Sequence, residues 1–399
     1  MEACANPATF ARKSETNPGW PLLALAIGAF GIGTTEFSPM GLLPVIAEGV
    51  HASIPATGML VSAYALGVMA GAPLMTLGLG RLTRKTALIL LMAVFTVGNL
   101  LSAVAPGYAS LMVARVVTSM AHGAFFGLGS LVAASVVPAE KRASAVATMF
   151  LGLTIANVGG VPAATWVGQQ IGWRAAFAGT AGLGVLTMIA VALALPRGER
   201  GAMPDIRREF AVLGRPAVLL ALLTTVLGAG AMFTLYTYVA PVLAHVTGAG
   251  TGFVTAMLVL IGVGFTIGNV AGGKLADKSL DGSLIAFLSV IVLVMLAFPL
   301  LAKSEAGAAI ALVIFGAATF AVVPPLQMRV MQAAAEAPGL ASSVNIGAFN
   351  LGNALGAGAG AAAIALGLGY AAVPIAGALI AGAGLLLVLA SRASRPSSL

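Results

Sequence analysis

Apolar residues along this chain gather into twelve long runs separated by short polar connections. The runs cover about 21–47, 56–80, 86–105, 109–137, 143–168, 174–196, 216–244, 252–276, 282–302, 306–333, 340–367 and 370–391. Each is close to the roughly 20 residues that a helix needs to cross a hydrocarbon layer of about 30 Å. The pattern therefore predicts an all-α polytopic membrane protein. One connection differs: 197–215, RGERGAMPDIRREFAVLGR, is the most charged segment and separates six runs from six. Its DIRREFAVL portion has the make-up of an amphipathic helix lying on a membrane surface. The expected organisation is a tail over 1–20, a six-helix bundle over 21–196, a loop over 197–215, a second bundle over 216–391 and a tail over 392–399.

The two bundles are related in sequence. At an offset of 197, LLAL at Leu22–Leu25 falls on LLAL at Leu219–Leu222, Pro44 on Pro241, Gly67 on Gly264, Gly71 on Gly268 and Arg81 on Lys278. At 196, Asn157 falls on Asn353 and Gly160 on Gly356. An offset this nearly constant implies two pseudo-symmetric halves of six helices each, with a site at the midplane between them. The halves differ at Glu36, whose counterpart is Phe233.

Composition strengthens the membrane reading. Charged residues make up 8% of the chain and apolar ones 59%, against roughly 25% charged in soluble domains. Met1–Trp20 is polar and Pro21–Ala47 is too long for a signal core, so no cleaved leader is expected. Cys4 is the only cysteine, which rules out an intrachain disulfide. The net charge of +8 does not point to nucleic acid. With the N-terminus in the cytoplasm, all Lys and Arg residues except Arg115, Arg174 and Lys303 fall inside, the usual bias of membrane proteins. Both termini are then cytoplasmic.

Glu36 is the one carboxylate deep inside an apolar run. A charge at that depth costs about 2.5–3.5 kcal/mol on insertion scales, so it is seldom there without a task. Pro39 follows it and cannot donate to the Thr35 carbonyl, which frees backbone polarity beside the carboxyl. A carboxyl balanced between burial and a neighbouring cation can load and release protons; a fixed ion pair with Arg115 is the structural alternative. Arg115 and His122 lie seven residues apart and so face one way on a helix, with Phe126 continuing the stripe. These make Glu36, Arg115 and His122 the candidate proton-coupling residues. Candidate cavity residues are Met40, Phe126, Asn157, Phe233, Tyr236 and Asn350, an apolar-aromatic wall with a few polar handles. Tyr238, near the outer end of its helix, is expected in an interfacial aromatic belt. Arg81, Arg84 and Lys85 at one helix end, and Asp277 with Lys278 at its counterpart, are candidates for a clasp between the halves. Gly152, Gly159, Gly160 and Pro162 are expected to let helices approach closely and bend.

Other chemistries find no support. GNVAGGKL (Gly268–Leu275) nearly spells a phosphate-binding loop, but Leu275 stands where a hydroxyl residue should hold Mg²⁺. The three histidines, 51, 122 and 245, are far apart, so no metal or other cofactor is expected, and no nucleophile–base set appears.

GTTEFSPMGLLPVIA, AHGAFFGLG, NVGGVPAATWVGQQIGWRAAF and NIGAFNLGNALGAGAG together resemble the major facilitator superfamily. Within it they resemble the bacterial twelve-helix drug:proton antiporters, in the branch labelled arabinose- or sugar-efflux permeases. The resemblance spans about residues 20–390. It implies the major facilitator fold, a bacterial inner-membrane location, and export of small organic solutes against entering protons, with a single chain sufficient. The family's first-helix acid falls on Glu36, its fourth-helix arginine on Arg115 and its antiporter motif on Gly152–Pro162. The loop motif after the second helix departs: Thr76, Gly80 and Thr83 stand where Gly, Asp and Gly are expected. The expectation is a proton-coupled antiporter of drugs, sugars or metabolites working by alternating access, with no enzyme activity. Its rivals are an uptake symporter of the same fold and a membrane sensor or scaffold that moves nothing.

Overall fold

The structure is a computed structural model that describes residues 18–52, 54–196 and 206–393. The expected tails and the linker thus lie partly outside the described residues, at 1–17, 394–399 and 197–205. The described residues form helices and no strands.

Among the described residues, twelve long helical segments make up the bundle. The first half holds α1 (Gly19–Gly49), α2 (Ile54–Gly78), α3 (Arg84–Ala103), α4 (Tyr108–Ser135), α5 (Ala139–Gln170) and α6 (Trp173–Ala194). The second holds α7 (Pro216–Tyr236), α8 (Thr251–Lys278), α9 (Leu280–Leu301), α10 (Glu305–Ala333), α11 (Pro338–Ala365) and α12 (Ala372–Ala393). All but α11 are apolar enough to be recognised as spans from hydropathy. In α11, Ser342, Ser343, Asn345 and Asn350 dilute the hydropathy, yet all four are buried. Its polarity faces protein rather than lipid. Outward, Leu66, Leu193, Leu293 and Leu379 are each at least 65% exposed. In water such a surface would aggregate, whereas in lipid it is the correct exterior.

The internal repeat is present in three dimensions. Helix starts pair at offsets of 196 or 197: Gly19 with Pro216, Ile54 with Thr251, Arg84 with Leu280 and Tyr108 with Glu305; the Arg142–Ile155 stretch of α5 likewise pairs with Pro338. Between the halves, Ile206–Leu213 is a helix. Val212 on it is buried with Val218, Val330 and Ala341 of the second half.

Proline and glycine shape the helices around the centre. In α5 the ladder changes to a π segment at Ala156–Gly160, just before Pro162, which lacks the N–H that would bond Val158. A Cβ on Gly152 would strike the Ala26 carbonyl, and one on Gly160 would strike Thr34 and the Phe30 ring. So α1 and α5 run nearly backbone to backbone. Gly159, expected at this contact, has nothing within 4 Å of a Cβ, and Pro162 is exposed. The inserted π residue turns the α1-facing position from 159 to 160.

The halves meet mainly at the end carrying Arg81, Arg84, Lys278 and Arg142, here called the basic end. Asp277 at the end of α8 accepts from Ala143 N (2.8 Å), Ser144 N (3.1 Å) and the Ser144 hydroxyl. Its carboxylate caps the first turn of the Arg142–Ile155 stretch of α5, where free N–H groups favour an anion. Asn269 donates to Ala147 O, Ser342 to Gly127 O and Thr76 to Ser343 Oγ (2.7 Å). At the far end, close contacts within each half include Gly49 against Trp173 and Gly360 against Tyr238.

Near the basic end, Glu336 before α11 takes two hydrogen bonds from Arg215 before α7, at 2.8 and 3.0 Å. Arg208 of the linking helix stands 3.7 Å away. The Arg215 hydrogen bonds, with its charge, hold the Glu336 carboxyl below its ordinary value of 4.5. A carboxyl lowered in the folded chain contributes stability above its unfolded value, and that contribution is lost as pH falls through the folded value. Glu336→Gln should therefore unfold at a lower temperature than the parent at neutral pH. The two should converge once the pH is well below about 4. Thermal unfolding in detergent across pH checks this; a difference independent of pH would assign Glu336 no ionic role.

Candidate functional site

The site begins with the backbone of α1. Pro39 lies inside that helix and leaves the Thr35 carbonyl without its donor. Arg115 of α4 supplies the replacement. Its Nη2 donates to Thr35 O at 3.1 Å and its Nη1 to Thr35 Oγ1 at 3.3 Å. Thr35 Oγ1 in turn donates to Asn99 Oδ1 of α3 at 2.6 Å, and Thr180 of α6 donates to the same oxygen at 3.2 Å. The guanidinium sits 4.4 Å over the Tyr64 ring of α2 and 5.5 Å from that of Phe177. Arg115 is 1% exposed. A buried cation is tolerated here because a carbonyl, a hydroxyl and two aromatic faces replace its water.

Glu36, next to Thr35, points the other way. Among the described residues no ion pair joins it to Arg115. The ionisable side chain within 4.0 Å of it, among the described residues, is His122, whose Nε2 is at that distance. The other nitrogen, Nδ1, is 3.2 Å from the Tyr64 hydroxyl. The His122 ring packs on Phe126 at 5.1 Å, which stacks on Phe150 at 5.0 Å. Arg115, Tyr64, His122 and Glu36 thus form a continuous line of contacts across α4, α2 and α1.

Glu36 and His122 open onto a cavity between the halves. Its apolar wall includes Phe37, Phe126, Phe150, Phe233, Phe320 and Phe349. Besides Glu36 and His122, its polar groups are Thr319, Asn350 and Asn353. Thr319 already donates to Phe315 O, and Asn350 Nδ2 to Ile346 O. Asn350 keeps its acceptor oxygen and a second N–H. Among the described residues, no Lys or Arg lines the cavity.

Of the residues expected from sequence, the structure therefore brings Glu36, His122, Phe126, Phe233 and Asn350 to one cavity. Four others stand outside its lining. Arg115 is turned to the Thr35 carbonyl. Met40 is 46% exposed. Asn157 spends its amide on its own helix, donating to Leu153 O at 3.0 Å within the π segment. Tyr236 is packed between Phe233 and Phe265, at 5.8 and 5.5 Å. Tyr238 is half-buried where α7 breaks, and its hydroxyl donates to Ala357 O of α11 at 3.1 Å. In the expected clasp Asp277 pairs with backbone N–H groups rather than with a cation, and Lys278 is exposed beside it. Lys85 instead caps the end of α6, donating to Ala192 O and Leu195 O, while Arg81 and Arg84 are exposed. Sequence reasoning missed Tyr64. Its signal was position: a tyrosine in the middle of an apolar run, away from the interfacial levels where the residue usually sits.

Comparison with known proteins places this arrangement among related chains. The model of the Major Facilitator Superfamily matches residues 25–357. The chain is 68% identical over 379 residues to the inner membrane transport protein YdhP of Escherichia coli (strain K12), covering 95% of this chain and 97% of that one. It is 33% identical over 343 residues to a chloramphenicol resistance protein of Streptomyces lividans, covering 84% of this chain and 87% of that one. Among solved structures it shares its fold with the proton:xylose symporter XylE, with a TM-score of 0.75 at 15% identity over 95% of this chain and 96% of the other.

The Arg115 cap has a measurable consequence. Arg115→Ala strands the Thr35 carbonyl and should cost about 1–3 kcal/mol of stability. In a Pro39→Ala background the new N–H can take that carbonyl, so the same substitution should cost distinctly less. Thermal unfolding of the four proteins in detergent checks this, and strictly additive losses would remove the link between proline and arginine.

Proposed function

The chain belongs to the Major Facilitator Superfamily, a family of membrane transporters rather than enzymes, and from that premise we propose that it exports small organic solutes in exchange for protons. The observation that carries this reading is Glu36: the carboxylate that lines the cavity between the halves, held by no arginine or lysine. A half-buried acid with no ion pair to an arginine or lysine can be emptied and filled as its surroundings change.

With the basic end in the cytoplasm, the inter-half contacts of Asp277, Ser342 and Thr76 form the inner closure. The far side of the inner membrane then supplies a proton to Glu36, and the solute leaves. Rocking the halves opens the basic end, which separates Asp277 from the start of α5 and Thr76 from Ser343. Inside, proton release and solute loading compete for the same cavity. One proton moving down 100 mV supplies about 2.3 kcal/mol, enough for roughly a 50-fold gradient of a neutral solute.

The lining narrows the solute. Six phenylalanines and few free hydrogen-bonding groups suit a flat, apolar molecule, neutral or singly positive. A free sugar, with a hydroxyl on nearly every carbon, would leave most of them unpaired. The relative named for chloramphenicol resistance favours export. Uptake with protons, the activity in the name of XylE, is the second reading, and the same assay separates the two.

The test uses the full chain in lipid vesicles with an imposed pH gradient, with chloramphenicol as first probe and a thermal-shift screen to find better ones. Glu36→Gln should insert and fold normally yet lose gradient-driven transport; full pH-driven transport by this variant would end the assignment. The probe should move opposite to the proton, and movement with it would establish uptake. Phe233→Ala should alter which solutes are moved more than it alters protein level, measured by competition among probes. Unchanged competition would take Phe233 out of the binding wall.

A further inference from the structure

We infer that Tyr64 is a positioning residue that fixes His122 as a neutral imidazole with its hydrogen on Nε2, aimed at Glu36. This rests on the reading of Glu36 as the proton-carrying group, and it assigns His122 a narrower task than carrying a proton itself.

The inference follows from hydrogen-bond accounting. The Tyr64 hydroxyl is buried, with the residue 2% exposed. A buried O–H needs an acceptor, and leaving it without one is costly. Among the described residues, His122 Nδ1 at 3.2 Å is the one hydrogen-bond partner of that hydroxyl. If Nδ1 carried the hydrogen, two donors would face each other or the phenol hydrogen would be stranded. Tyr64 therefore donates to Nδ1, Nδ1 accepts, and a neutral imidazole must hold its hydrogen on Nε2. Arg115, 4.4 Å over the Tyr64 ring, draws electron density from the phenol and makes its O–H the better donor.

The consequence falls on Glu36. His122 Nε2 stands 4.0 Å from the carboxylate, a small rotation short of a hydrogen bond. A fixed Nε2–H can close that gap when Glu36 is ionised and gains less when it is protonated. The groups around the carboxyl leave no second proton carrier. From α1, α2 and α4 come Glu36, Tyr64, Arg115 and His122. From α5, α7, α10 and α11 the cavity receives only non-titrating side chains such as Thr319, Asn350 and Asn353. The site is thus built to carry one proton per cycle, on Glu36. His122 reports the charge of Glu36 to α2 through Tyr64, and Arg115 links the same tyrosine to the Thr35 cap.

Nitrogen NMR of the full chain in lipid vesicles, with ¹⁵N in the histidine rings, tests this without requiring transport. His122→Gln assigns the His122 signals among the three histidines. The parent should show neutral His122 with hydrogen on Nε2 from about pH 5.5 to 8. Tyr64→Phe keeps the ring under Arg115 and removes only the hydroxyl. It should give a mixture of the two tautomers and move the pH profile of transport up by about one unit, a tenfold change in proton concentration. His122→Gln, which retains a donor near the place of Nε2, should keep proton-driven transport where His122→Phe loses most of it. Hydrogen on Nδ1 in the parent, an imidazolium within that range, or unaltered tautomers in Tyr64→Phe would each overturn the inference. Because the NMR result is independent of transport, failure of Glu36 as the proton carrier would show separately, in Glu36→Gln.

Discussion

A single missing hydrogen bond organises the first half of this transporter. Pro39 takes a donor from the Thr35 carbonyl in the middle of α1, where no water is at hand to replace it. Arg115 fills the vacancy, and in reaching it joins α4 to α1, α3 and α6 through Thr35, Asn99 and Thr180. It also lies against α2 through the Tyr64 ring. The second half has no such centre. At the offset of the repeat, Tyr236 replaces Pro39 and Leu312 replaces Arg115, so the proline and its compensating cation are absent together. That pairing marks Arg115 as the answer to a backbone problem, and it frees Glu36 from service as a structural counter-ion.

The same economy appears at the contact between the halves. Gly273 lets α8 press against Ala147 and Ser144 of α5, and Asp277 caps the start of that helix. The matching positions in the first half are Thr76 and Gly80. There the carboxylate is gone, and Thr76 makes a neutral hydrogen bond to Ser343. One side of the closure is held by a charge on helix N–H groups and the other by two hydroxyls. Hydrogen bonds to a charged group are worth roughly twice neutral ones. The Asp277 side is therefore the stronger latch, and it is the part of the motif that the chain keeps.

Much was legible in the chain itself. Helix number, span and order follow from the length and polarity of the apolar runs, because lipid admits only segments whose backbone is bonded internally. The repeat follows from glycines and prolines that two similar bundles need at the same places. Glu36 stood out because a carboxylate at bilayer depth is costly enough to be rare. Even the orphaned Thr35 carbonyl was readable, since proline chemistry is local. What replaced the missing donor was not. Arg115 is 80 residues away from Thr35, and whether an arginine turns to a carboxylate or a carbonyl depends on which one the helix crossings bring within 3 Å. Asn157 and Asn350 looked alike as cavity residues, and both bond a carbonyl of their own helix, yet of the two only Asn350 lines the cavity, because its helix turns that face inward. Tyr64 carried only the weak signal of its depth. Its meaning comes from two nitrogens of His122 facing different helices, one toward α2 and one toward α1. The sequence by itself determined the architecture and the one acid deep inside an apolar run, because both are set by what a membrane excludes. The partners of that acid were decided by tertiary structure alone, because a hydrogen bond depends on distance and direction across helices that no local pattern encodes.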